Sequence, residues 1–236
     1  NYSSSEWVEK YIDRVVFLAP TFAGSSSFPE LMSQSLSNFP DNDEIKKSIM
    51  RMPGLQIMMP NYHIFNHRTI IYNLYQDFDQ HNASYAFEFL KMQGKVDDES
   101  EKIFKSHVEK FLEVPVPEPP VPSLIVYNDG IKQTVTYTIN RHQDQKVTSL
   151  YNSPGDGTVT SEGAEYACKK WGNVRCKNLR DSTIHNGLLS NSATVKAVLD
   201  FVQSNNNDQN DDQKLALFLV SSFKGSPLYA TVTDPE

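Results

Sequence analysis

The stretch Arg14-Val15-Val16-Phe17-Leu18-Ala19-Pro20 constrains this chain more than any other. An unbroken apolar run leaves no polar face for water. When it stops at a proline and is followed by Gly24-Ser25-Ser26-Ser27, it reads as a strand buried on both faces of a parallel sheet. Residues 7–12 are amphipathic and predict the end of a helix feeding that strand. Helix, buried strand, then loop is the grammar of an α/β fold.

At 236 residues the chain accommodates one large domain or two small ones. Its 22 basic and 29 acidic residues give a net charge of −7, which argues against binding to nucleic acid or any other polyanion. Aromatic residues make up 11%, too many for a disordered chain. Neither of the longest apolar runs, residues 15–19 and 215–220, approaches the ~20 residues that span a bilayer. The first residue is Asn1 and no basic–apolar–small signal pattern follows, so the expectation is a processed product or a fragment. Cys168 and Cys176 form one local bridge at most. The glycosylation triplets Asn1-Tyr2-Ser3 and Asn82-Ala83-Ser84 favour a glycoprotein of the secretory route.

Residues 24–66 show no clean period but carry Met50, Met52, Met58, Met59, Tyr62 and Phe65, punctuated by Pro53, Gly54 and Pro60. Long irregular stretches in a compact domain are functional or disordered, and this one is too apolar for disorder. Beyond it, residues 68–75 predict a strand and residues 83–92 a helix. The clearest helix covers residues 97–113, with Ile103, Phe104, His107, Val108, Phe111 and Leu112 on one face. Five prolines within residues 115–122 require an extended connector, with recruitment of an SH3-type partner as the alternative. Ser123–Tyr127 reads as a strand, and residues 134–139 and 146–151 as the arms of a hairpin. A helix over 161–171 and a strand over 174–179 follow. Next come a loop with His185 and a helix over 194–202. Residues 204–213 read as a solvated polar loop, and Leu215–Val220 packs back as strand or helix.

Two segments carry candidate chemistry. In Ser153-Pro154-Gly155-Asp156-Gly157-Thr158-Val159, glycines on either side of a carboxylate let the backbone turn sharply around Asp156. Local chemistry alone makes this a turn in which Asp156 caps the next helix. Twenty-nine residues later, Ser182-Thr183-Ile184-His185-Asn186-Gly187-Leu188-Leu189 places a histidine in a loop before a helix. An acid and then a histidine, each after successive strands, is the order in which α/β-hydrolases present the last two members of their triad. The carboxylate would fix the imidazole tautomer while the histidine moves the proton. His63 and His67 have i, i+4 spacing but no third ligand and no zinc-protease signature. Residues 208–219 lack the glycine and glutamate of a calcium loop. No metal and no cofactor are expected.

The chain resembles the C-terminal portion of the lecithin:cholesterol acyltransferase and lysosomal phospholipase A family of α/β-hydrolases. Trp7-Val8-Glu9-Lys10-Tyr11-Ile12, then Val15 to Pro20 and Gly24-Ser25, is similar to the family's helix–strand–glycine-loop block. Gly155-Asp156-Gly157-Thr158-Val159, with Cys168 and Trp171 after it, is similar to the block carrying the catalytic aspartate. Ile184-His185-Asn186-Gly187-Leu188-Leu189, with Asn191 next, is similar to the catalytic histidine block. These pieces span residues 6 to about 203 in the family's order. The resemblance implies Asp156 as triad acid and His185 as triad base. It also implies lipid acyl transfer or phospholipid hydrolysis, a secretory, lysosomal or extracellular location, and a phospholipid substrate or membrane surface as partner.

The departures define what is missing. No Gly-x-Ser-x-Gly elbow occurs in the chain, and Gly24-Ser25-Ser26-Ser27-Phe28, its nearest imitation, follows the wrong strand. The implied nucleophile lies upstream of Asn1, and the implied partner is the upstream half of the same hydrolase domain. The family bridges a cysteine at the place of Cys168 to a strand near Ser123–Tyr127, which here has none; Cys168 is left to pair with Cys176 or stay reduced. Residues 24–66 correspond to the family's lid, with Met50, Met52, Leu55, Met58, Met59 and Phe65 as lipid contacts or as ordinary core. Two further readings are a catalytically inactive pseudoenzyme serving as a structural subunit, and an esterase of the same fold acting on small soluble substrates.

Overall fold

The computed structural model describes residues 5–26, 28–33, 43–65, 70–73, 79–141, 146–204 and 215–220. Helix α1 (Ser5–Tyr11) runs straight into strand β1 (Ile12–Leu18). Helices α2 (Phe28–Ser33), α3 (Asp43–Met50) and α4 (Pro53–Gln56) precede the short strands β2 (Ile71–Asn73) and β3 (Asp79–His81). A 3-10 turn at Ala83–Tyr85 leads into α5 (Ala86–Met92). Helix α6 (Asp98–Ile103), a π-helical turn at Phe104–Val108 and α7 (Glu109–Leu112) then form one helical rod. The remainder comprises β4 (Ser123–Tyr127), β5 (Ile131–Arg141), β6 (Lys146–Gly155), α8 (Glu162–Lys170), β7 (Val174–Asn178), a 3-10 turn at His185–Ser190, α9 (Ser192–Gln203) and β8 (Leu215–Val220).

The chain is an α/β protein built on a parallel sheet of order β7-β4-β1-β8. Val16 lies opposite Leu124 and Phe17 opposite Ile125, and the parallel register holds through β4 and β7 from Ser123↔Val174 to Tyr127↔Asn178. Val15, Val16, Leu124, Ile125 and Val126 are buried, as the apolar run requires. Leu215–Val220 is a strand, paired parallel to β1. The edge strand β7 carries Arg175 and Lys177, charges that discourage pairing with a foreign strand. A second, mixed sheet has the order β3-β2-β5-β6, and its β5–β6 hairpin ends at Gly155, immediately before Asp156.

Small residues let α8 approach closely. Gly163, Ala164 and Ala167 are buried, and a Cβ on Gly163 would lie 2.6 Å from the backbone nitrogen of Ala23. At the end of this helix Trp171 packs against Phe17 and Phe22, with ring centroids 5.8 and 5.2 Å away. The Cys168 and Cys176 sulfurs are bonded, which settles the open pairing in favour of the local bridge and ties α8 to β7. In α9, Phe201 packs with Val16, Leu124 and Val126. Buried Arg14 donates to the Phe201 carbonyl and lies 5.4 Å from its ring.

The largest core joins residues 23–65 to the helices of residues 83–112. Met50, Met59 and Phe65 are fully buried within it beside Phe28, Met32, Phe87, Phe89 and Phe104. The Phe87 and Phe104 rings stack nearly parallel, with centroids 3.9 Å apart. Gln56, also fully buried, donates to the carbonyls of Met50 and Ser100 and so binds α3, α4 and α6 together. At the rim the Arg51 guanidinium meets the Asp97 carboxylate at 2.6 Å.

The helix expected over residues 97–113 forms, but its apolar face differs from the expectation. Phe104, Val108 and Leu112 are buried, whereas His107 and Phe111 are exposed, Phe111 at 61%. A π-helical turn spans Phe104–Val108. Phe104, Val108 and Leu112 are spaced at i, i+4 and i+8 and form a narrower buried stripe than expected. Residues 115–122 form neither helix nor strand, in keeping with a connector, and they are anchored: Trp171 Nε1 donates to the Val116 carbonyl and Asn173 N–H to Glu118 Oε1. Of residues 204–213, only Ser204 lies within the described set, which also omits Asn1, His67 and residues 208–212. Among the described residues no helix is long and apolar enough to cross a membrane.

Candidate functional site

Asp156 and His185 meet where the β5–β6 hairpin and the loop after β7 converge. The Asp156 side chain serves two purposes at once. Its Oδ1 accepts the backbone N–H groups of Thr158 at 3.0 Å and Val159 at 2.7 Å, while Oδ2 lies 2.6 Å from His185 Nδ1. Gly157, at φ +85°, makes the turn that aims both amides at one oxygen. Asp156 therefore makes the turn with one oxygen and meets the histidine with the other.

Both residues are buried, Asp156 at 4% and His185 at 6% exposure. An ionised carboxylate accepts and cannot donate, so in this contact the proton belongs to Nδ1. Nε2 makes no hydrogen bond among the described residues. The contact fixes the ring through Nδ1 and leaves Nε2 as its other nitrogen. His185 opens a 3-10 turn rather than lying in an irregular loop, and its own N–H donates to the Asp156 carbonyl at 2.9 Å.

The framework around His185 rests on residues whose role the sequence left unassigned. Asn128, buried just past β4, donates through Nδ2 to the carbonyls of Asp181 at 2.9 Å and Thr183 at 2.7 Å. Its Oδ1 accepts the N–H groups of Gly130 and Asp181. Gly130 lies so close to this loop that a Cβ there would sit 2.0 Å from the Asp181 carbonyl oxygen. Asn191 donates to Thr183 Oγ1 at 2.8 Å, and its Oδ1 caps α9 by accepting from Ala193 and Thr194. Asp181 accepts the Thr183 N–H, and the hydrogen bonds from Thr183 and Asn191 hold its carboxyl below the usual carboxylate range. In sequence Asn128-Asp129-Gly130 signals only a turn. The clue was its place directly after a buried strand, at the carboxyl end of a parallel sheet where ligands bind.

The other candidates lie elsewhere. Ser25 and Ser26 are buried in a loop held by backbone bonds from Ser25 to Met58 and from Asn61 to Ala23, and neither hydroxyl meets His185. Gly24 permits that loop, since a Cβ there would collide with the Met59 carbonyl at 2.0 Å. Of the residues considered as lipid contacts, Met50, Met59 and Phe65 are in the core, Leu55 and Met58 are half-buried, and Met52 is 51% exposed. His63 Nε2 lies 3.2 Å from the Tyr166 hydroxyl, and among the described residues no cluster of three metal-ligating side chains occurs. The chain matches no known protein-family model, and no curated protein matches it.

Proposed function

We propose that this chain is the later part of an α/β-hydrolase similar to the lecithin:cholesterol acyltransferase and lysosomal phospholipase A family. On this reading it supplies the acid and base for phospholipid hydrolysis or lipid acyl transfer. The observation that carries the reading is the buried Asp156–His185 contact with Nε2 left unpartnered. The nucleophilic serine comes from upstream sequence. The strands β1, β4 and β7 succeed one another across the sheet, and an upstream strand carrying the serine would take the place beside β1 where β8 now pairs. Exposed Ile184 at 61% and Leu189 at 48% flank His185 in sequence and suit an apolar acyl substrate.

In this mechanism the serine Oγ attacks the acyl carbonyl while His185 Nε2 takes its proton. Asp156 stabilises the imidazolium. Collapse of the tetrahedral intermediate breaks the ester C–O bond, and Nε2 returns the proton to the departing alkoxide. The same nitrogen then activates water or an acceptor alcohol to release the acyl group from the enzyme. The substrate class, the membrane-surface partner and the secretory or lysosomal location rest on the resemblance. The test is turnover by the full-length protein of phospholipid vesicles against a short-chain soluble ester. Preference for vesicles supports the lipid reading; preference for the soluble ester assigns an ordinary esterase.

A pseudoenzyme is the alternative, and one observation favours it. Strand β8 already pairs with β1 along the edge that an elbow strand needs. If β8 keeps that place in the full-length protein, the fold is closed without a nucleophile and acts as an interaction subunit.

A further inference from the structure

We propose that Arg180 is a specificity-determining residue that binds a phosphodiester carried by the substrate beside its acyl ester. The inference deepens the hydrolase reading and rests on it. Arg180 has φ +56°, in the left-handed region that glycine enters freely and that strains any residue with a Cβ. Among the described residues only Ala19 shares this conformation outside glycine. The surroundings impose it one amide at a time. Leu179 N–H donates to the Tyr127 carbonyl at 3.0 Å, Arg180 N–H to Asn178 Oδ1 at 3.2 Å, and Asp181 N–H to Asn128 Oδ1 at 3.2 Å. Asn178 is fixed in turn, since its Nδ2 donates to Asp129 Oδ2 at 2.6 Å. A turn made only for its shape would use glycine; strain held by so many contacts is typical of ligand clamps.

The side chain is free to serve as such a clamp. Arg180 is exposed, and among the described residues its guanidinium makes no hydrogen bond or ion pair. The neighbouring carboxylates are engaged by neutral donors, Asp129 by Asn178 and Asp181 by Thr183 and Asn191. Burial, helped by Glu165 and Asp129, raises the Tyr127 hydroxyl above its ordinary value, and Asn178 and the Arg180 charge oppose that rise. The guanidinium therefore stands near the end of β4, at the carboxyl edge of the parallel sheet where ligands bind. Arg180 also belongs to the segment between β7 and His185, which Asn128 draws in by donating to the Asp181 and Thr183 carbonyls. A guanidinium offers paired donors in one plane, and these match the two free oxygens of a phosphodiester.

The test gives the full-length protein two soluble esters with the same acyl chains. One is dihexanoyl phosphatidylcholine below its micelle concentration; the other is dihexanoylglycerol, which lacks the phosphate. Dissolved monomers keep attraction to a membrane out of the comparison. Arg180→Gln should lower the kcat/KM ratio of phosphatidylcholine to glyceride at least about tenfold, through KM rather than kcat. Arg180→Lys keeps the charge without the planar fork and should fall between wild type and Arg180→Gln. Arg180→Gly should show the same lowered ratio with a thermal midpoint no lower than wild type, because relief of strain offsets the added freedom of the unfolded chain. An unchanged ratio in Arg180→Gln overturns the proposal. So do equal losses on both esters with a lowered midpoint in Arg180→Gly, the signature of a merely structural residue. Turnover of neither ester by the wild-type protein overturns the hydrolase reading, and this proposal with it.

Discussion

His185 is tied to Asp156 twice: its ring Nδ1 meets Oδ2 at 2.6 Å, and its backbone N–H reaches the Asp156 carbonyl at 2.9 Å. The side-chain contact fixes the ring's tautomer, and the main-chain contact fixes where the ring starts. Replacing Asp156 with Asn keeps an oxygen for Thr158 and Val159 but presents a donor to Nδ1. The proton then moves to Nε2 and the base is lost. In the full-length protein Asp156→Asn should lower kcat by about 10⁴-fold with a small change in unfolding midpoint. Wild-type kcat in this variant would remove Asp156 from the mechanism.

Asn128 should act through the loop it holds. Asn128→Ala removes a buried side chain bonded to both the loop after β4 and the loop before His185, and leaves their polar backbone groups unpaired. A loss of about 2–4 kcal/mol in urea unfolding is expected. As a positioning residue it should also lower kcat more than it raises KM. A variant as stable as wild type would show that the loop stands without Asn128.

The Cys168–Cys176 bond closes a short loop, with a sequence separation of 8, between α8 and β7. Loop-closure entropy for so short a segment amounts to about 2–3 kcal/mol, so Cys176→Ser or mild reduction should lower stability by that order. Equal thermal midpoints with and without reductant would count against the bridge.

Acid should loosen the helical part first. Hydrogen bonds from Arg51 and from the Ser100 N–H and hydroxyl hold the Asp97 carboxyl well below its ordinary range. A depressed carboxyl stabilises the fold above its unfolded pKa of about 3.9, and that stability is lost as pH falls from there through the folded value. Urea midpoints measured from pH 6 down to pH 2 should therefore fall more steeply for wild type than for Asp97→Asn. Parallel curves would show that the contact contributes nothing.

Much of this was legible in the sequence because the signals were local. The run at residues 15–19 had no polar face to expose, and glycines around Asp156 left one plausible turn. The strand legible at Ser123–Tyr127 has the same bounds in the fold. Other features depended on tertiary context. How wide a stripe of the helix over 97–113 is buried depends on what packs against it, and His107 and Phe111 fall outside that stripe. Met50 and Met59 gave no sign of whether they faced a core or a ligand, and packing beside Phe28 and Phe65 decided it. Asn128 joins loops 53 residues apart, which no short spacing reveals.

The most direct test of the central claim is serine-directed fluorophosphonate labelling of the full-length protein and its His185→Ala variant, mapped by peptide mass spectrometry. A hydrolase whose base is His185 should be labelled on one serine upstream of Asn1, and the variant should label at least about 10³-fold more slowly. No label on the wild-type protein, or equal labelling of both proteins, would contradict the account.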